Sequence, residues 1–206
     1  MLAACRYSME KLNQTLFLLL NAPPMPAPLP LAIAMFFGEY AIWLIPATFV
    51  AAWLRGGEDL RKSLLQASTA SLVGLSMNQL IGLCWQHPRP FVIGLGHGLL
   101  PHAADSSFPS DHLTVIWAIA FSLLAQRRSR GAAITLAALG LPVAWARIYL
   151  GVHFPLDMIG ALAVAGLAGG LGQRHTALLI ERAYPALSGA YRRLFAPLIR
   201  RGWVRA

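Results

Sequence analysis

The chain has 206 residues, 57% of them hydrophobic and 12% charged, with a formal net charge of +9. Soluble domains carry about 25% charged residues, so the composition excludes an ordinary water-soluble fold. It predicts an all-α, polytopic membrane helix bundle, one domain over residues 1–206, with about five transmembrane helices and a short N-terminal interfacial helix.

In chain order, residues 8–21 form an apolar stretch shorter than the roughly 20 residues a crossing needs, and read as the interfacial or re-entrant helix. Only Arg6 and Lys11 supply positive charge to residues 1–20, and NAPPMPAPLP (21–30) lacks a cleavage site, so no cleaved signal peptide is expected. The proline-rich residues 23–30 read as a turn at a membrane boundary. Five spans follow, at 31–54, 63–84, 112–125, 131–149 and 155–173, the third of them short. Cys5 and Cys84 fall in no zinc-binding or redox spacing.

Thirteen of the seventeen Lys and Arg lie in the 55–62 loop, the 126–130 loop and the tail 174–206. All three segments fall on one face of a five-span topology. The positive-inside rule makes that face, and the C-terminus, cytoplasmic. The basic tail, with Tyr184, Tyr191, Phe195 and Trp203 among its arginines, suits anionic membrane lipid. This distribution argues for membrane lipids and against nucleic acid as the partner.

Arg89 and Arg147 fall on the opposite, outer face, against the charge bias. Three segments meet there: QHPRPF (86–91), SSFPSDH (106–112) and ARIYLGVHFPLD (146–157). Pro88 and Pro90 stiffen the backbone around Arg89, whose planar fork of donors suits phosphate. A snorkelling arginine is the alternative. Ser110 or Asp111 can cap the helix that starts near His112, and a helix N-terminus also binds phosphate. Asp157 lies one helical turn beyond His153, where its carboxylate can hold the imidazole tautomer. A buried structural His–Asp pair is the alternative.

Taken jointly, two arginines, a helix N-terminus, a His–Asp pair and a second histidine describe a phosphoryl-transfer site. His153 is the expected nucleophile, with Asp157 orienting it. His112 is the expected acid and then base. Arg89, Arg147, Ser110 and the backbone near Asp111 are expected to hold the phosphate. No acidic cluster resembles a magnesium site, so neither a metal nor a cofactor is expected.

These residues resemble the type 2 phosphatidic acid phosphatase superfamily, whose motifs are Lys-x6-Arg-Pro, Pro-Ser-Gly-His and Ser-Arg-x5-His-x3-Asp. Here they read GLCWQHPRP (82–90), PSDH (109–112) and ARIYLGVHFPLD (146–157). Three positions depart: Gly82 stands for the lysine, Asp111 for the glycine and Ala146 for the serine. HAADSSFPSDH, RIYLGVHFPLDMIG, LNQTLFLLLNAPP and IRRGWVR further resemble the bacitracin-resistance type of bacterial undecaprenyl-diphosphatase. That resemblance implies hydrolysis of undecaprenyl diphosphate, a polyprenyl diphosphate lipid, at the periplasmic face of the inner membrane. Related lipid phosphatases or phosphotransferases, and more remotely an anion transporter, are the competing readings.

Glu39 and His87 are secondary site candidates. Glu39 is an acid near the outer start of the first span, and His87 a partial substitute for the missing lysine. His102 and Asp105 read as solvated loop residues, with a role at the site or its entrance as the alternative.

Overall fold

Apolar runs in a chain this poor in charge can satisfy their backbone only as helices, and the described residues contain no strand. The computed structural model describes residues 2–171 and 173–206, without the side chains of residues 2–6, 127, 171, 173 and 174. Gly172, in the last predicted span, and the side chains of Arg6, Arg127 and Arg174 used in the charge argument, lie outside the described residues.

Helix α1 runs over Leu2–Leu20. Helices α2 (Pro28–Met35) and α3 (Leu44–Arg55) are joined by a π turn at Phe36–Tyr40 and a 3-10 turn at Ala41–Trp43. Then follow α4 (Glu58–Cys84), α5 (Asp111–Leu124), α6 (Arg130–Tyr149) and α7 (Pro155–Gly166), which ends in a second π turn at Leu167–Leu171. The tail forms α8 (Gln173–Leu194) and α9 (Ala196–Arg200).

Among the described residues, two helices are long and apolar enough to cross a membrane: Pro28–Arg55 and Arg130–Tyr149. Pro155–Gly170 and His175–Leu194 make a third if this pair, bent by 59°, is a single span. The five spans expected from the sequence include α4 and α5, which fall outside this set by composition and by length respectively. The 27-residue α4 is long enough, but it carries Gln66, Ser68, Thr69, Ser71, Ser76, Asn78 and Gln79. Helix α5 has 14 residues and packs on α4, α6 and α7, so most of its circumference is buried. A helix apolar all round belongs in such a position.

The core clusters Leu113, Ile116 and Trp117 of α5 with Val143, Ile148, Phe154 and Met158. Phe17 of α1 joins it, edge-on to Phe154 at 5.3 Å. Helix α1 is thus pinned to the outer ends of α6 and α7. Asn13 Oδ1 accepts from the Leu156 N–H at 3.0 Å, and Asn21 Nδ2 donates to the carbonyls of His97 and Tyr149, each at 3.0 Å. At the opposite end, buried Arg61 donates to the carbonyls of Trp53 and Arg205, and its guanidinium lies 4.4 Å from the Tyr191 ring centroid. This clasp ties the chain's last residues to the α3–α4 turn.

Two glycines set approaches that the outer end depends on. A Cβ at Gly38 would stand 2.6 Å from Leu150 Cδ1, so glycine lets the π turn lie against the end of α6. A Cβ at Gly160 of α7 would stand 2.3 Å from the Phe108 ring, in the loop just before α5. Gly160→Ala is therefore expected to lower stability by about 1–3 kcal/mol through overpacking, read as a lower Tm in detergent. Phe108→Leu in the same chain should recover part of that loss, because the two changes act on one contact.

Candidate active site

The site assembles from helix ends. Pro155 starts α7 and places Asp157 in its first turn, where its Oδ2 accepts the Phe154 backbone N–H at 2.7 Å. A carboxylate there satisfies a free helix N–H and meets the positive end of the helix dipole. The same oxygen accepts from Ser107 Oγ and lies 3.1 Å from His153 Nδ1. The network assigns the tautomer: Nδ1–H donates to Asp157, which leaves the Nε2 lone pair free.

That free nitrogen faces two cations. Arg89 Nη1 lies 3.2 Å and Arg147 Nη2 3.4 Å from His153 Nε2. Each guanidinium is anchored elsewhere. Arg89 donates through Nη1 to Val152 O at 2.9 Å, through Nη2 to Ser106 O at 3.2 Å and through Nε to Asp105 Oδ1 at 2.8 Å. Arg147 donates through Nη1 to Gly38 O at 3.0 Å, and its Nη2 lies 3.0 Å from His102 Nε2. Arg89, Arg147, His153 and Asp157 are all buried. Ser110 Oγ and Arg147 Nε are buried polar atoms with no hydrogen-bond partner among the described residues.

The electrostatics follow from this crowding. Burial, then the charges of Arg147 and Arg89, push His153 well below the ordinary histidine range, so it is neutral at pH 7. Burial, then Arg89, likewise lower His102. For Asp105, partial burial opposes ionisation, but Arg89 outweighs it and holds the carboxyl below its usual range.

The structure thus brings Arg89, Ser110, Arg147, His153 and Asp157 to one place. His112 sits in the first turn of α5, close enough to Arg147 and His153 to feel their charge. Ser110 is the N-cap residue of α5, but its side chain makes no capping bond. Asp111 does not cap either: its Oδ1 accepts from Asn78 Nδ2 at 2.7 Å, and Asn78 also donates to Thr114 Oγ1 at 3.0 Å. Glu39 lies in the π turn, and its charge reaches Arg147. His87 lines the same cavity as Gly82 and Asp111, with its Nε2 3.3 Å from Glu10 Oε2 and its ring edge-on to Phe154 at 5.4 Å.

Ser107 was not singled out by the sequence reading, although it lies in SSFPSDH. Asp105 and His102, read there as solvated loop, contact the two arginines directly. Their signal was the run HAADSSFPSDH, in which His102, Asp105, Ser106 and Ser107 precede the PSDH motif. Among the described residues, no group of three or more His, Cys, Asp or Glu is placed to hold a metal ion.

The model of the PAP2 superfamily matches residues 63–175, more than half of the chain. The chain belongs to the PAP2 superfamily. Undecaprenyl-diphosphatase BcrC of Bacillus subtilis (strain 168) is 41% identical over 162 residues, covering 76% of this chain and 83% of BcrC. The provisionally named undecaprenyl-diphosphatase YbjG of Escherichia coli (strain K12) is 40% identical over 198 residues, covering 96% of this chain and 99% of YbjG. The crystal structure of Aquifex aeolicus LpxE superposes with a TM-score of 0.66 at 21% identity, covering 79% of this chain and 95% of that one, which is a likeness of fold.

Two of the three departures from the PAP2 motifs share one location, while Ala146 packs in the core. Gly82 and Asp111 both line a cavity of about 480 Å³, together with Asn78, Gln86, Ser106 and Phe108. A Cβ at Gly82 would meet Ser106 Cβ at 3.5 Å, an ordinary contact. The position that holds the PAP2 lysine is therefore open space here, beside Asp105 and Asp111.

The His153–Asp157–Ser107 chain predicts graded losses of turnover. Asp157→Asn should lower kcat by about 10³-fold or more, because an amide can no longer favour the Nδ1–H tautomer. Ser107→Ala should cost about 10- to 100-fold, the worth of one hydrogen bond to a charged group. In ring-labelled protein, the His153 resonance should stay at its neutral position as pH falls from 8 to 6. The unfolded chain takes up a proton there that the folded chain does not, so stability should decline below about pH 6.5.

Proposed function

We propose that the chain hydrolyses undecaprenyl diphosphate to undecaprenyl phosphate and inorganic phosphate, at the periplasmic face of the bacterial inner membrane. The reading makes it a recycling enzyme for the lipid carrier of peptidoglycan synthesis. The observation that carries it is the His153 imidazole, with Nδ1 held by Asp157 at 3.1 Å and Nε2 facing Arg89 and Arg147 at 3.2 and 3.4 Å. The substrate follows from kinship with undecaprenyl-diphosphatase BcrC, which is 41% identical.

In this mechanism His153 Nε2 attacks the terminal phosphorus. The bond to the bridging oxygen breaks, and its electron pair leaves on undecaprenyl phosphate, which takes a proton from His112. Arg89, Arg147 and Ser110 Oγ neutralise the equatorial oxygens. Asp157 stabilises the imidazolium that forms and fixes its orientation. Water then attacks the phosphohistidine as His112 removes its proton. The P–N bond breaks, its electrons return to Nε2, and inorganic phosphate departs. The polyprenyl tail stays in the bilayer, since the site lies at the ends of the helices.

Two variants test the sequence of steps. His153→Ala should lower turnover by at least about 10⁴-fold, because it deletes the nucleophile. His112→Ala, given undecaprenyl diphosphate labelled at the terminal phosphate, should accumulate acid-labile phosphate on His153. Wild-type activity should persist in EDTA. A His153→Ala protein that still releases phosphate, or a wild type that cleaves other lipid phosphates but not this one, would refute the reading.

A further inference from the structure

The mechanism leaves one group of the cluster without a task. His102 reaches the site from the outer loop and not from a helix. Its Nδ1 lies 3.2 Å from Ala103 O, and its Nε2 lies 3.0 Å from Arg147 Nη2. This pattern fits the neutral tautomer, in which Nδ1–H donates to Ala103 and Nε2 accepts from Arg147. The same Arg147 Nη2 lies 3.4 Å from His153 Nε2, so two imidazoles address one guanidinium nitrogen. Their ring centroids are 6.4 Å apart. The His153 side chain is 2% exposed and that of His102 23%, which sets His102 on the solvent side of the nucleophile. Asp105 Oδ1 completes the arc, 2.8 Å from Arg89 Nε and 3.9 Å from His102 Nδ1.

The leaving group decides what such a position can do. Attack on a phosphomonoester expels an alkoxide, whose first need is a proton. Attack on the terminal phosphorus of a diphosphate expels a phosphate ester, a far weaker base that carries more negative charge. Its first need is a cation. Arg89, Arg147 and Ser110 surround the nucleophile and so serve the phosphoryl group under attack. The other phosphoryl group lies one bridging oxygen further from His153.

We propose that His102 contacts this second phosphoryl group and thereby selects diphosphates over phosphomonoesters. The proposal rests on the phosphohydrolase reading above. The Arg147–His102 contact requires one partner to accept, so the imidazole must be neutral in the empty site. A phosphate oxygen placed between them lets both donate. The imidazole takes up a proton as the anion arrives, because a nearby negative charge favours its charged form. Asp105, on the other side of the ring, then balances the new cation. No covalent bond changes at His102, which makes it a specificity-determining residue beside the nucleophile.

The test compares wild type, His102→Ala and His102→Gln, purified in detergent. Binding of methylenediphosphonate and of inorganic phosphate is measured by calorimetry, and kcat/KM on undecaprenyl diphosphate and on phosphatidic acid. Both variants should weaken methylenediphosphonate by about 10- to 100-fold, the range for one charge-assisted hydrogen bond. Inorganic phosphate should change by less than about 3-fold, and the kcat/KM ratio should fall with the diphosphonate. Glutamine keeps a neutral acceptor for Arg147 but cannot become a cation. If alanine weakens both ligands equally and glutamine restores both, His102 only positions Arg147 and the proposal is overturned. Unchanged diphosphonate binding in both variants overturns it too. A wild type that turns over neither lipid defeats the functional reading, while the two binding constants still decide the role of His102.

Discussion

Two guanidinium groups converge within 3.4 Å of a single neutral imidazole nitrogen, and the rest of the outer end is arranged around that fact. Like charges this close in a partly dehydrated place repel strongly. The protein offsets the repulsion mainly with dipoles. Carbonyls of Val152, Ser106 and Gly38 accept from the arginines, and Asp105 is the carboxylate that touches Arg89. Carbonyl oxygens lower the cost of burying the cations without cancelling their charge. The result is a concentrated positive field at Nε2.

Each anchor comes from a different part of the chain. Gly38 belongs to the first long helix, Ser106 and Asp105 to the loop before α5, and Val152 to the turn before α7. Helix α1 holds the start of α7 through Asn13 and packs Phe17 on Phe154. The field at His153 is therefore a property of the assembled outer end and not of one motif. Burial of His153 keeps its nitrogen unprotonated, so the same water exclusion that sharpens the field also keeps the imidazole neutral.

Much of this was legible in the sequence wherever covalent spacing survives folding. His153 and Asp157 are four residues apart across a proline-started helix, and that spacing dictates their meeting. Arg89 and Arg147 stood out because they break the charge bias of their face. The carbonyl partners were illegible, since every residue carries one and nothing in the side-chain pattern marks which will be used. Ser107, Asp105 and His102 lie in a loop with no period, so only the fold could say which of them turns inward. Hydropathy marked α4 and α5 as apolar but not their surroundings: α4 packs Asn78 and Ser71 inward and α5 is enclosed by its neighbours. The departures at Gly82 and Asp111 were visible as letters, but their shared cavity was not.

The π turn at Phe36–Tyr40 carries a consequence for how this protein tolerates change. A peripheral helix that faces lipid is usually free to drift in sequence, provided it stays apolar. Here one of its carbonyls, at Gly38, holds Arg147, and the missing side chain at that residue lets the turn lie on Leu150. The same segment also packs Leu31, Ala34 and Met35 on the cluster of Ala146 and Leu150, so Gly38 adds a polar tie to an apolar seat. A graft between relatives would have to carry residues 38, 147 and 150 together, because the outermost helix shares one hydrogen bond with the guanidinium beside His153.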